Sequence, residues 1–465
     1  MLFNSFEFLF LFLPIVLIFF YTVNFYKLTD KNNILIISSL IFYSFWIFNY
    51  IYLILGIVIS NFLFGKKLIK SKSFKILLYS IIFNVILLLF FKYYDFLIKN
   101  INFIFNSNFK ELDLPYPLAI SFITFQNIIF LIDCYDSQIK KITFKKYTVF
   151  ALFFPQLIAG PITRFNVMND QFNKKIFSFK YILFSKGIFI ISIGLFKKIV
   201  IADKLAIIVN QNYNVINNLT SIEAWISSIC FTLQFYFDFS GYADIAVGLA
   251  LLFMIQIPFN FNSPLKSTSI IEFWQRWHLT LTNFLTNYIY IPILKNLKVI
   301  NIKNIAISTT ITFFIAGLWH GPSWNFIFFG LWNGLLLIIN QILRKYKITS
   351  FKFINYGITL ICINIGFIFF RTENLNDAFV IILKLFDFNS LFNQLNSSLL
   401  LYIFSEKVTF LTLIIAFMII SLKKNSNNYI EKFKPKLKFL LATIFMFSFS
   451  ILYLNRTNEF LYFKF

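Results

Sequence analysis

The stretch TFFIAGLWHGPSWNFIFFGLWNG, residues 312–334, decides the fold. Two aromatic and aliphatic runs meet at Trp319-His320-Gly321-Pro322. With their flanks, each approaches the ~20 apolar residues that cross a bilayer. Gly and Pro break a helix, and backbone groups freed at membrane depth survive only where protein or a wet cavity surrounds them. The same texture extends through the whole chain. Of its 465 residues 59% are hydrophobic and 21% aromatic, with 69 Phe, and only 13% are charged, against about 25% in an ordinary soluble domain. A soluble protein of this size has no interior for so much apolar surface. The fold class is therefore all-α, a polytopic membrane protein, and disordered, collagen-like and disulfide-scaffold classes are excluded.

Apolar segments near 6–26, 34–64 (one long or two short), 74–91, 181–201, 222–237, 241–257, 305–318, 324–343, 353–370, 408–421 and 438–454 predict about 11 spans. Shorter pieces near 114–132, 147–160, 284–294 and 378–388 read as re-entrant or interfacial. Residues 1–21 lack a basic leader and a small-residue cleavage site, so they read as a retained first span. No fixed repeat and no soluble domain interrupts 1–465, which reads as a single integral-membrane domain.

The net charge of +23 would suggest nucleic acid in a soluble protein. Here the lysines cluster in short loops: Lys66, Lys67, Lys70, Lys72 and Lys75; Lys295, Lys298 and Lys303; Arg344, Lys345, Lys347 and Lys352; and six lysines in 423–438. That is the positive-inside pattern of cytoplasmic loops, so no nucleic-acid partner is expected and membrane lipids are. The nearly charge-balanced stretch 371–407 should face outward. The last span starts after a Lys-rich stretch, so the tail 455–465 should emerge outside. His320, past the first turns of a segment that leaves the cytoplasm, lies deep in the membrane or toward the outside. Cys134, Cys230 and Cys362 stand far apart, with no metal-ligand spacing, and read as small buried hydrophobes.

Only two histidines exist, His278 and His320. An ionisable group at membrane depth is a functional-site hypothesis, and imidazole is the usual base near neutral pH. The plainer reading of His320 is a histidine hydrogen-bonded to a neighbouring helix. His278, in EFWQRWHLTLTNF with Glu272, Trp274, Arg276 and Trp277, could belong to an interfacial aromatic anchor. The intervening loop lets the two converge. Asp238 and Asp244 in QFYFDFSGYADIAVGLA (234–250), with Tyr242 between them, are costly at depth unless they pair or line a polar cavity. They fit either a transport site or the support of a catalytic pocket.

These stretches together resemble the membrane-bound O-acyltransferase superfamily, in particular its bacterial branch that acetylates extracytoplasmic polysaccharides such as peptidoglycan and alginate. The resemblance runs over nearly the whole chain: MLFNSFEFLFLFLP (1–14), FFPQLIAGPITRF (153–165), QFYFDFSGYADIAVGLA, NFNSP (260–264), EFWQRWHLTLTNFLTNYIYIP (272–292), the opening stretch, FIFFRTENLNDA (367–378) and EFLYFKF (459–465). It implies a ring of helices with re-entrant pieces around a central tunnel, His320 as catalytic histidine and His278 as the second family histidine. Thr286 and Asn287 stand where relatives usually carry an Arg-Asp pair, and Asn333 where many carry a further His.

The resemblance further implies an acetyltransferase of the bacterial inner membrane. It would take acetyl from a cytoplasmic thioester, acetyl-CoA as donor with no bound cofactor or metal, and pass it outward to a periplasmic hydrolase-like (Ser-His-Asp) partner transferase. His320 would be the base, with His278 orienting the acceptor or polarising the carbonyl. Asp238, Tyr242, Asn325, Trp319 and Arg164 are candidates for pocket support. The tail Phe460-Leu461-Tyr462-Phe463-Lys464-Phe465 resembles the FxYxxF-type motif of the small partner of the teichoic-acid D-alanylation acyltransferase. It makes Tyr462 a candidate acyl carrier; a plain aromatic anchor is the alternative. Peptidoglycan is the expected glycan. Alginate, another exopolysaccharide or D-alanyl transfer to teichoic acid, and a transporter or flippase without covalent chemistry, are the competing readings.

Overall fold

The computed structural model describes residues 1–26, 30–158, 160–172, 179–348, 351–387, 407–454 and 461. Among them every regular element is a helix. Among the described residues, seven helices are long and apolar enough to span a bilayer: Glu7–Tyr26, Tyr50–Ser71, Phe74–Phe105, Ser221–Leu252, Ile302–His320, Trp324–Lys345 and Lys352–Arg371. Shorter apolar helices cover Ile120–Tyr135, Lys407–Ser421 and Leu437–Leu452. The protein is thus a polytopic, all-α membrane protein. The apolar stretch 34–64 resolves into two helices, Lys31–Ser44 and Tyr50–Ser71. The short pieces predicted near 114–132 and 378–388 are the helices Ile120–Tyr135 and Leu375–Leu385.

One predicted boundary is absent. The expected spans 222–237 and 241–257 are a single 32-residue helix, Ser221–Leu252, whose apolar window is wholly buried. Gly241 lies where the expected second span was to begin. A glycine inside a helix costs about 0.5–1 kcal/mol relative to alanine, and close packing more than offsets that here. A Cβ at Gly241 would stand 2.8 Å from Gly194 O and 3.1 Å from Lys198 N, so only glycine lets the two backbones meet.

The chain divides into two compact units. The first comprises Met1–Ile191, Tyr242–Pro258 and Lys434–Thr443; the second comprises Ser192–Gly241, Phe259–Phe433 and Ile444–Phe465. In the first, Phe8, Phe12, Phe42 and Phe154 pack ring on ring. A buried amide ladder also ties Asn61, Asn84 and Asn127 together. Such side-chain hydrogen bonds join helices where lipid supplies no hydrophobic drive. The second unit holds both histidines.

Candidate active site

The opening stretch folds as a tight helix-turn-helix. Ile302–His320 ends at His320, Gly321 continues extended, and Ser323 caps Trp324–Lys345 by accepting the Asn325 N–H at 3.2 Å. Gly317 and Gly330 let the two helices touch backbone to backbone. A Cβ on Gly317 would fall 3.2 Å from Gly330 Cα and from Phe326 C, and nearer still to Phe326 O. This places His320, 5% exposed, against a wall of rings. Its imidazole lies 5.2 Å from the Phe370 centroid, 5.5 Å from Phe329 and 4.9 Å from Trp319.

His278 is fully buried and heads the helix Leu279–Leu285 in a left-handed backbone conformation (φ 42°, ψ 56°). That conformation is uncommon for a residue with a side chain, and it persists only where neighbours hold it. The neighbours come from NFNSP. Asn262 N–H donates to Arg276 O and Leu279 N–H to Asn260 O, each at 2.9 Å. The Thr280 hydroxyl donates to Asn260 Oδ1 at 2.6 Å. Two stretches singled out in sequence are therefore laced around the histidine. Upstream, Ser269 accepts the Glu272 N–H, and Glu272 accepts from Thr268 and pairs with Arg276 at 2.8 Å. Glu272 and Arg276 thus set the local turn.

The histidines converge. The His278 ring lies 6.3 Å from the Trp319 ring, so both imidazoles rest against one indole. Phe239 closes on His278 at 4.8 Å. Phe235, Trp277, Phe329, Phe367 and Phe370 interlock around them, drawn from four of the stretches quoted above. His278 sits outside the spanning helices. Burial among these rings pushes its pKa down to about 3, against a backbone hydrogen bond that raises it. Desolvation disfavours the imidazolium, so His278 is neutral throughout the physiological range.

Other predicted residues fall as follows. Asn325 is buried, and its amide donates to Thr372 O at 2.7 Å and to Thr372 Oγ1 at 3.0 Å. Its Oδ1 accepts nothing among the described residues. Asp238 is 1% exposed and ion-paired to Lys198 at 2.6 Å. Tyr242 and Arg164 belong to the first unit. The Tyr242 hydroxyl donates to Asn4 Oδ1 at 2.6 Å. The Arg164 guanidinium grips Asp133 through two hydrogen bonds, at 2.7 and 3.1 Å, and donates to Gln138 Oε1 at 2.7 Å. Tyr462 lies outside the described residues. No group of three His, Cys, Asp or Glu side chains among the described residues is placed to hold a metal. Lys198 and Asp203, paired at 2.8 Å, escaped the sequence reading. The signal was present in IGLFKKIVIAD (193–203), where charges interrupt an apolar run.

Comparison with known proteins bears on what this cluster does. The family model for MBOAT, the membrane-bound O-acyltransferase family, matches residues 121–376. The chain is 34% identical to the peptidoglycan O-acetyltransferase of Helicobacter pylori, over all of this chain and 98% of that protein. It is 35% identical to a probable alginate O-acetylase of Pseudomonas syringae pv. tomato, over 81% of this chain and 74% of that one. It is 28% identical to the teichoic acid D-alanyltransferase of Bacillus subtilis, over 54% of this chain and 66% of that one.

Proposed function

As a member of the membrane-bound O-acyltransferase family, this chain is an integral-membrane O-acyltransferase, and we propose that it moves acetyl groups outward across a bacterial cytoplasmic membrane for O-acetylation of peptidoglycan. The observation that carries the choice of glycan is the end-to-end match to a peptidoglycan O-acetyltransferase, where the teichoic-acid relatives match about half of the chain. The match to a family of O-acyltransferases favours this reading over a transporter without covalent chemistry.

The chemistry proposed for the site is acyl transfer from a thioester, with acetyl-CoA as donor. His320 takes the proton of the acceptor hydroxyl, whose oxygen forms a bond to the thioester carbonyl. The tetrahedral intermediate collapses by breaking the C–S bond, and the departing thiolate receives the proton from the His320 imidazolium. Positioned bases of this kind supply ~10²–10⁴-fold. His278, neutral, offers one ring N–H that can donate to the developing oxyanion without adding a buried charge. Asn325 and Trp319 shape the pocket.

The proposed acceptor is the Tyr462 phenol, which hands acetyl on to a periplasmic partner transferase with a Ser-His-Asp site. Replacing Tyr462 by Phe keeps the aromatic character and removes the nucleophile. Base-labile acetate on the cell-wall glycan should then disappear. Wild-type acetate in the Tyr462→Phe strain would refute the carrier. Acetate appearing on another exopolysaccharide, with none on peptidoglycan, would refute the glycan assignment.

A further inference from the structure

The chemistry above leaves one buried ionic cluster without a task. In the second unit Lys198 Nζ lies 2.8 Å from Asp203 Oδ1 and 2.6 Å from Asp238 Oδ1, and all three side chains are at most 5% exposed. Two carboxylates face one ammonium. An excess charge away from water demands further hydrogen-bond donors. One such donor comes from a remote part of the chain. The Leu461 backbone N–H donates to Asp238 Oδ2 at 3.0 Å, and Leu461 itself is buried.

Local structure explains why the cluster sits there. Lys198 lies in the π-helical turn Phe196–Ala202, a wide turn of the kind that often marks functional positions. Gly241 lies one helical turn beyond Asp238, on the same face. Its missing side chain is what lets the backbone around Gly194 and Lys198 come near. The lysine is thereby brought within ion-pair distance of an aspartate near the middle of a buried helix.

We propose that the Lys198–Asp203–Asp238 cluster is the receptor for the chain's own carboxy-terminal segment. Asp238, held by Lys198, receives the Leu461 amide and fixes the depth at which the segment is seated. A backbone contact of this kind does not depend on the identity of the side chain at 461. Asp238 and Lys198 are thus positioning residues, acting through the tail. The consequence for catalysis rests on the proposed role of Tyr462; the docking itself does not.

The test separates the two. In full-length protein whose three native cysteines are replaced by alanine, Leu461→Cys is labelled with a membrane-impermeant maleimide added from outside. Docking protects this thiol, and Asp238→Asn or Lys198→Met should raise its labelling rate about tenfold or more, since a buried hydrogen bond to a charged group is among the stronger ones. Asp238→Glu should restore protection at least in part. Leu461→Pro removes the donor N–H and leaves the cluster whole. It should lose most glycan acetylation, where Leu461→Ala retains it. Equal labelling with and without the Asp238 carboxylate, in protein that elutes as a folded monodisperse species, overturns the docking. Should Asp238→Asn fail to fold, unchanged protection of Leu461→Cys in a folded Lys198→Met protein overturns it independently. If Tyr462→Phe keeps full acetylation while the cluster variants still expose Leu461→Cys, the carrier role falls and the docking stands.

Discussion

Gly317 carries the contact that aims His320, and the cost of filling it follows from the geometry. An added Cβ would lie 3.2 Å from Gly330 Cα and from Phe326 C, and below 3.0 Å from Phe326 O, whereas ordinary contact begins near 3.4 Å. Every one of these partners is backbone, so no side chain can swing aside. In Gly317→Ala the helices Ile302–His320 and Trp324–Lys345 must part by roughly 0.6–1 Å to relieve the contact with Phe326 O. Overpacking of this kind costs ~1–3 kcal/mol. His320 ends the first helix three residues on, and a misplacement of ~1 Å in a catalytic group is worth ~10²-fold. We therefore expect acyl transfer to fall about tenfold to a hundredfold, with a lowered thermal midpoint. The assay is thioester consumption by purified protein in nanodiscs, beside tryptophan-fluorescence melting. Gly357→Ala is the control: nothing lies within 4 Å of its Cβ. It should leave activity intact and stabilise its helix by up to ~1 kcal/mol. A Gly317→Ala protein with wild-type rate and midpoint would refute the close-contact reasoning.

The other expectations concern pH and the pocket wall. His278 has a folded pKa near 3 against an ordinary 6.5. Its neutral form therefore contributes stability that is complete above about pH 6.5 and is lost progressively as pH falls toward 3. His278→Asn tolerates the left-handed backbone and does not titrate, so its melting temperature should fall less steeply between pH 6.5 and 4; parallel curves would contradict the buried neutral imidazole. Removing the indole that both imidazoles share, by Trp319→Ala, should cost ~3–5 kcal/mol of stability and lower acyl transfer, whereas Trp319→Phe should recover part of both. Equal rates for the two variants would argue against that contact. Arg164→Lys should loosen the grip on Asp133, since an ammonium does not reproduce a bidentate fork, and lower the midpoint while sparing the rate of a saturated enzyme; an unchanged midpoint would show the pair to be inert.

Composition and apolar periodicity revealed the fold class, because a spanning helix is a local property written in ~20 consecutive residues. They placed a boundary between 237 and 241, where the helix Ser221–Leu252 runs on and Gly241 serves packing. The two histidines were legible because imidazole is rare here and both stood out among apolar neighbours. Their meeting on Trp319 was not, since it depends on how the helices bearing 278 and 320 pack. Asp238 was legible as a carboxylate in an apolar stretch that must pair or line a polar cavity, but its partner was not named. Lys198 lies 40 residues away, and only the close approach at Gly241 joins them. Arg164, a charged residue within a recognisable stretch, is engaged by Asp133 and Gln138, partners that its own stretch does not name.

The most direct measurement is mass spectrometry of the carboxy-terminal peptide from protein incubated with acetyl-CoA, comparing wild type with a folded His320→Ala variant. The expected result is one acetyl group in phenolic ester linkage on Tyr462 in the wild type, reduced ~10²–10⁴-fold without the His320 imidazole. An unmodified tail in a wild-type protein that supports glycan acetylation, or equal modification in the His320→Ala protein, would contradict it.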